Sequence, residues 1–541
     1  MAPDRIVTIS AGPDRSAPIP NSDDPHENEW YNQDFDGYRI TEQPLHIKRH
    51  IRMICVGAGA AGLQIAYKAE RLLENVELQI YEKNHDIGGT CYQFTWEKNP
   101  NWSQFYSSSE EIWRYFKHVS TKYDLEKYIK FNSKVHSATW DEEKGVWRLV
   151  IVASDGSQFK DECEILVNGS GILNAYKFPD IPGIENYTGK LMHSAAWDKD
   201  YDLKEKTVAV IGGGSSAGFG AKYAGPGGTN FKYTEEQLQE FRNDPAALAK
   251  YSRDIEGELN KRFTLMHRTS KDQKSSRDLV ADIMREQLNN HPVLTDKIIP
   301  SFDLGCRRMT PGSGYLQSLT KENVQVVTES VVKFTKNGVI DESGNEHIVD
   351  VVICATGFDV SFKPHFEVIG RGGVNIKDQF GEVPKAYLSI TAPKFPNLFF
   401  FIGPNGPASH SSILPILEWH TRYLFQMIEK MQTENIKAFE PKLAAAEELH
   451  QHTHELMKRL VWSSSCRSWF KQGKTHGPVT AIYPGSRLHY FEMLKNVRYE
   501  DYEITYRSKN RFQFMGNGYT QTELSVDGDP VWYFDDPFVL V

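Results

Sequence analysis

The stretch Ile51–Thr90 limits what this chain can fold into more than any other. It reads IRMICVGAGAAGLQIAYKAERLLENVELQIYEKNHDIGGT. A short apolar run, Met53–Val56, leads directly into Gly57-Ala-Gly59-Ala-Ala-Gly62. Helical character follows over Leu63–Leu73, and a second apolar run, Leu78–Tyr81, ends at Glu82. The order is strand, glycine turn, helix, strand. In such a unit Gly57 permits a tight turn, Gly59 lets a pyrophosphate reach the backbone, and Gly62 lets the helix pack close to the strand. The helix N-terminus offers unpaired N–H groups and the positive end of its dipole to phosphate. Glu82 lies about 20 residues past Gly62, where a carboxylate accepts ribose hydroxyls. The unit predicts a bound dinucleotide.

A second unit starts at Thr207–Ile211 and continues Gly212-Gly213-Gly214-Ser215-Ser216-Ala217. Two such turns in one chain suggest two nucleotides held together, one a flavin and the other a nicotinamide. Gly212, Gly214, Ser215 and Ser216 are its candidate phosphate contacts. Parallel strands need a crossover of about a dozen residues or more. Here the chain instead reads GFGAKYAGPGGTN, with Pro226 forbidding a helix interior. The next helical pattern is Thr234–Arg262, and Phe263–His267, ending at Arg268, is the candidate for a substitute second strand. The sheet of this second domain is therefore expected to be incomplete.

Elsewhere the pattern predicts a helix over Ser107–Tyr128, started by Ser109 with Glu111, and helices over Asp278–Asn289, Ile413–Gln432 and Pro441–Val461. Strands are expected at Trp147–Val152, Cys163–Val167, Val324–Val327, Val349–Cys354 and Leu398–Ile402, with strand-like patches at Tyr502–Tyr506 and Val531–Phe534. Trp30–His50 is expected to pack on the first domain. The 62 basic and 71 acidic residues, with no long basic block, argue against nucleic acid as the main partner. The six cysteines are scattered singly, so neither a zinc site nor a disulfide framework is indicated. Cys91, Cys306 and Cys354 read as packing residues. A reducing, cytoplasmic location fits. No run of about 18 apolar residues exists, so no membrane span is expected.

Several motifs then carry a resemblance. Tyr187-x-Gly189-x-x-x-His193-x-x-x-Trp197-Asp198 lies between the two glycine turns. Ala355-Thr-Gly-Phe-Asp359 follows a strand, and Gly305-Cys-Arg307-Arg308 precedes Thr310-Pro-Gly-Ser-Gly-Tyr315. Together these resemble the type I Baeyer–Villiger monooxygenases, in particular fungal members involved in secondary metabolism. Tyr187 stands where the fingerprint usually has Phe. The resemblance implies an α/β fold of two Rossmann-like dinucleotide-binding domains, a FAD domain with an inserted NADP domain. On this reading residues 1–48 are an N-terminal extension, 49–180 and 349–541 form the FAD-binding part, and 181–348 form a shortened NADP-binding domain.

The resemblance also implies the chemistry. NADPH reduces FAD, and one atom of O2 is inserted beside the carbonyl of a ketone, giving an ester or lactone. Arg308 matches the active-site arginine, a guanidinium that stays charged and stabilises developing negative charge. Arg307 would face the nicotinamide phosphates. Gly57, Gly59, Gly62, Glu82, Gly89, Thr90, Tyr92 and Val135 are the FAD-side candidates. His193 and Trp197, expected on one helix face, would orient a linker. Trp102, Phe105, Trp462 and Trp469 are candidates for a substrate pocket or for plain core.

Two segments of the family pattern are missing. After Gly88-Gly89-Thr90 the family continues with about fifteen residues, holding an aspartate that positions the arginine; here Cys91-Tyr92 follow at once. The helix and strand after the second glycine turn are the other gap. Two alternatives therefore stand beside ketone oxygenation: oxygen insertion at nitrogen, sulfur or an activated carbon, and a FAD-binding chain with impaired oxygenation.

Overall fold

A computed structural model describes residues 34–89, 92–213, 229–309, 312, 314–408 and 412–535. The chain divides into two units, residues 1–47 with 508–541, and residues 48–507. In the first, the described N-terminal residues find their partners in the C-terminal tail. Leu45 N–H donates to the Tyr519 carbonyl (2.7 Å), and Asn517 N–H donates to the Gln43 carbonyl (2.9 Å).

The second unit is built on a five-stranded parallel sheet. In chain order its strands are β1 (Ile51–Val56), β2 (Val76–Tyr81), β3 (Ile129–Lys130), β4 (Ile165–Asn168) and, far downstream, Leu398–Phe400. Their spatial order is Leu398–Phe400, β4, β1, β2, β3. Helix α1 (Ala60–Leu72) crosses over from β1 to β2. β1 is buried along nearly its whole length, as a parallel strand covered on both faces must be. The register places Val56 beside Tyr81 and Asn168, and Asn168 beside Phe400. These four strands of the five therefore end along one edge, where ligands bind in open α/β sheets. A long helix, Leu414–Thr433, carries Pro415 in its first turn, packs on α1 and buries Leu417, Leu424, Ile428 and Met431.

A second parallel sheet has three strands among the described residues: β5 (Lys190–His193), β6 (Val208–Ile211) and β7 (Val351–Cys354), with β7 in the centre. The sequence puts β7 at the start of the second FAD segment, whereas it pairs as the middle strand of this small sheet. Val210 on β6 is 61% exposed. An apolar strand residue left open is what a missing crossover layer would produce.

Several local expectations need correction. The helix expected over Ser107–Tyr128 is α2 (Ser109–Lys122), and its cap is Ser108, whose hydroxyl accepts from Glu111 N–H. The single helix expected over Thr234–Arg262 is two, α3 (Glu235–Asn243) and α4 (Pro245–Asn260). Asp244 caps the second through Ala246 and Ala247 N–H, and Pro245 cannot continue the first. Phe263–His267 is no substitute strand. Lys261–Met266 is a 3-10 turn, and Arg268 is held by Asp303 at 3.0 Å. Val324–Val327 is irregular, and the Val531–Phe534 patch is a 3-10 turn. Cys163–Val167 is split between the end of Gln158–Cys163 and β4. Cys306 is bonded to Cys466, so it is more than a packing residue. The partners stand 160 residues apart, a pairing that no local spacing reveals. Among the described residues no helix is long and apolar enough to cross a membrane.

Candidate active site

The first glycine turn is forced by contact. Gly57 has φ +109°, and a Cβ there would lie 2.8 Å from the Gly169 carbonyl oxygen. A Cβ on Gly62 would lie 2.3 Å from the Gly57 oxygen. Gly59 differs: a Cβ would meet only the Gly88 oxygen, at 3.8 Å, so its face is open. No side chain caps the N-terminus of α1. This open, uncapped turn fits a pyrophosphate. Glu82 sits at the end of β2. Its carboxylate accepts from Ala58 N–H (2.9 Å) and Asn84 N–H (2.8 Å), leaving acceptor capacity for ribose hydroxyls. Gly89 has φ +153°, and a Cβ would collide with the Phe116 ring at 2.4 Å. Thr90 lies outside the described residues. Val135 is buried in the core and pairs with Ile151 across an antiparallel ladder.

In the second turn Gly212 has φ +117°, and a Cβ would lie 2.4 Å from the Ala355 oxygen. Gly214, Ser215 and Ser216 lie outside the described residues. The fingerprint between the turns proves to be a brace. Tyr187 donates to the Val349 carbonyl (2.9 Å), and a Cβ on Gly189 would meet the Tyr187 hydroxyl at 2.3 Å. Lys190 pairs with Asp198. His193 ends strand β5 instead of lying on a helix with Trp197, so the shared helix face does not exist. His193 is buried, its Nδ1 accepts from Ala195 N–H (3.1 Å), and it stacks on Tyr176 with centroids 4.7 Å apart. Burial lowers its pKa. Trp197 is about half exposed. The linker around Tyr176 is tied to the segment after β7: Thr356 donates to the Lys177 carbonyl (2.6 Å), and Asp359 N–H donates to that of Ala175 (2.8 Å).

The arginine pair separates. The Arg307 guanidinium lies over the Phe302 ring at 5.3 Å, with Nε buried and unpartnered among the described residues. Burial, with Arg467 nearby, lowers its pKa. Arg308 is exposed and has no ion pair or hydrogen bond among the described residues. It stands on the wall of a cavity of about 680 Å³. Tyr92 and Trp102 line one side, edge to face at 5.9 Å. Burial raises the pKa of Tyr92. The opposite side is α3 and α4, with Tyr233 and Tyr251 hydroxyls 3.3 Å apart. Phe105 joins the wall, whereas Trp462 is core and Trp469 packs against the core. Sequence reasoning missed the helical wall. Leu248, Tyr251, Ile255 and Leu259 repeat at helical spacing, a stripe that reads as core until the space in front of it is seen.

Comparison with known proteins adds the family. The flavin-binding monooxygenase-like profile matches residues 90–225, and an NAD(P)-binding Rossmann-like profile matches residues 55–119. The chain is 37% identical to the FAD-binding monooxygenase tazF of Aspergillus terreus, covering 91% of this chain and 95% of that one. It is 36% identical to the FAD-binding monooxygenase moxY of Dothistroma septosporum, covering 90% and 85%. The chain belongs to the FAD-binding monooxygenase family. The fold of this monooxygenase matches cyclohexanone monooxygenase from Rhodococcus sp. Phi1 bound to NADP+, with a TM-score of 0.70 at 22% identity, covering 86% and 100%. The cofactors of this family and fold are FAD and NADP(H). In this monooxygenase the open Gly59 face and the uncapped α1 fit FAD. The described half of the second turn repeats the first in having a positive-φ glycine, Gly212, packed on backbone.

Proposed function

We propose that this monooxygenase inserts one oxygen atom of O2 beside the carbonyl of a bulky ketone, a polyketide- or terpenoid-like secondary metabolite, with NADPH as reductant. The balance is ketone, O2, NADPH and a proton giving ester or lactone, water and NADP+. The observation that carries the reading is Arg308, a guanidinium without a partner among the described residues, on the wall of an aromatic-lined cavity. Bound FAD supplies the oxygen activation. Arg308 holds a fixed positive charge where negative charge develops on oxygen. Tyr92, Trp102 and the α3–α4 wall surround the ketone and exclude water. Gly57, Gly59, Gly62 and Glu82 hold FAD, with Gly89, Thr90, Tyr92 and Val135 beside them. Gly212, Gly214, Ser215, Ser216 and Arg307 hold NADP(H), and His193 and Trp197 orient the linker. The assignment uses a FAD part (49–180 and 349–541) and an inserted NADP part (181–348), with β7, at the start of 349–541, counted with the small sheet of the NADP part.

A second reading, FAD binding with impaired reduction by NADPH, is favoured by the open face at Val210. One experiment tests both. The purified chain is examined for bound flavin, NADPH is added in air, and 18O incorporation into a bulky ketone is followed by mass spectrometry. Flavin that bleaches and recovers, with one 18O in the product, supports oxygenation. Bound flavin that NADPH leaves oxidised sinks the first reading and supports the second.

A further inference from the structure

Three cations, Arg307, Arg467 and Lys471, gather beside the Cys306–Cys466 bond, and none has an acidic partner among the described residues. Lys471 is 2% exposed, and its ammonium donates to the carbonyls of Ser464 (2.5 Å) and Thr475 (2.8 Å). It also stands 4.0 Å from Cys466 Sγ. Arg307 keeps a buried Nε without a partner, and Arg467 Nε donates to the Gly473 carbonyl (3.0 Å). Burial and Arg307 lower the pKa of Lys471, as burial and Arg467 lower that of Arg307. A buried ammonium with no anion beside it is costly. On the other side of the bond, Cys306 Sγ lies 3.4 Å from the Ser464 carbonyl oxygen. Both cysteines are buried, while Ser465 and Arg467, on either side of Cys466, are exposed.

We infer that Cys306–Cys466 is a reversible thiol–disulfide exchange site for a dithiol reductant, and that its state regulates how firmly the arginine turn is held. Reduction splits the S–S bond. The dithiol gives up two electrons and two protons and closes into its own disulfide. One proton stays on Cys306, whose thiol then donates to the nearby Ser464 carbonyl oxygen. The other goes to solvent, and Cys466 is left as a thiolate beside Lys471, the anion that this group of cations lacks. Positive neighbours lower the pKa of a thiol, and a stabilised thiolate makes its disulfide easier to reduce. The exposed turn at Ser465 and Arg467 gives the reductant its way in. The consequence falls on Arg308. Closed, the bond ties the turn that carries Arg308 to the segment around Cys466; opened, that tie is gone.

The test titrates the flavin-loaded enzyme, folded and without denaturant, with mixtures of reduced and oxidised dithiothreitol. Thiols are trapped by alkylation, and the peptides holding Cys306 and Cys466 are measured by mass spectrometry. The pair should be half open with reduced dithiothreitol in the minority; a pair that stays closed until the reduced form is in excess overturns the inference. Because one proton is released, the ratio required should fall about tenfold per pH unit between about pH 7 and 8. A ratio indifferent to pH means that both sulfurs end as thiols, and it overturns the inference as well. Lys471→Met should raise the ratio about 10- to 100-fold, the scale of a hydrogen bond to a charged group, and Lys471→Arg should stay close to the unaltered enzyme. Lys471→Met titrating like the unaltered enzyme counts against the thiolate; where that variant does not fold, the pH series decides. Hydrogen exchange then reads the turn. Residues 302–309 should exchange faster in the open state, with Gly57–Gly62 unchanged, and equal protection of 302–309 in both states overturns the regulatory role. None of these readings uses turnover, so they stand apart from the fate of the proposed reaction.

Discussion

Cys306 is joined to Cys466, and it is the residue immediately before Arg307 and Arg308. The bond closes a loop of 160 residues and ties the arginine turn to the segment that packs Trp462 into the core. Removing a native cross-link typically costs about 2–5 kcal/mol. Cys466→Ser is expected to lower the urea midpoint by a corresponding amount, and reductant should bring the unaltered protein to the same midpoint. A midpoint that reductant does not move would show that the bond contributes nothing.

Gly59→Ala and Gly62→Ala separate cofactor binding from folding. A methyl at Gly59 meets open space, whereas one at Gly62 runs into the Gly57 carbonyl. In an ordinary helix, Gly to Ala stabilises by up to about 1 kcal/mol. At Gly62 the clash should reverse that sign, at a cost of about 1–3 kcal/mol, and flavin should be lost. Compared as flavin-free proteins, Gly59→Ala should keep the unfolding midpoint of the unaltered chain, while its flavin absorbance falls, because its methyl occupies the place of the pyrophosphate. Retained flavin in Gly59→Ala would remove the phosphate role from this turn.

Arg308→Ala should lower ester formation about 10²–10³-fold, the usual scale for losing one group that stabilises developing charge. Flavin content should hold, because Arg308 touches none of the first glycine turn. Arg307→Ala should act on NADPH, raising its KM. Product formation and NADPH oxidation measured side by side distinguish the two; equal effects from both variants would contradict the division of roles.

Acid should destabilise the fold through His420. Its Nδ1 accepts from Ile402 N–H (3.3 Å), and its Nε2–H faces the Tyr490 hydroxyl (2.8 Å), which donates to the Leu388 carbonyl (2.6 Å). Burial lowers its pKa from 6.5 to about 3. The unfolded chain binds a proton between those values that the folded chain refuses. The contribution is therefore complete above pH 6.5 and is lost as pH falls toward 3, at about 1.4 kcal/mol per unit. Urea titrations between about pH 6 and pH 4 should show a shallower slope for His420→Gln; an unchanged slope would place the proton elsewhere.

The glycine turns are legible in the sequence because the spacing of glycines between a strand and a helix is local, although only Gly62, against Gly57, answers a contact within its own turn. The fingerprint was recognised, but its shape was not. His193 and Trp197 are four apart in sequence, which suggested a helix face, yet β5 gains its geometry by pairing with β7. That partner lies in a distant stretch of chain, and periodicity is silent about it. The same holds for Cys306 with Cys466. The cavity wall was hidden for another reason. Tyr251 and Ile255 satisfy the pattern of a core helix whether the facing space is filled by side chains or left for a ligand.

The central place of β7 in the small sheet also bears on how the chain comes to be folded. β5 and β6 pair with β7 and not with each other. During synthesis neither can close a ladder until Val351–Cys354 has been made, and the large sheet likewise waits for Leu398–Phe400 to take its edge. Contacts this distant along the chain slow folding and leave strand edges open meanwhile. The yield of native protein should thus depend on chaperone supply and growth temperature, and a chain stopped before Val351 should emerge with β5 and β6 unpaired.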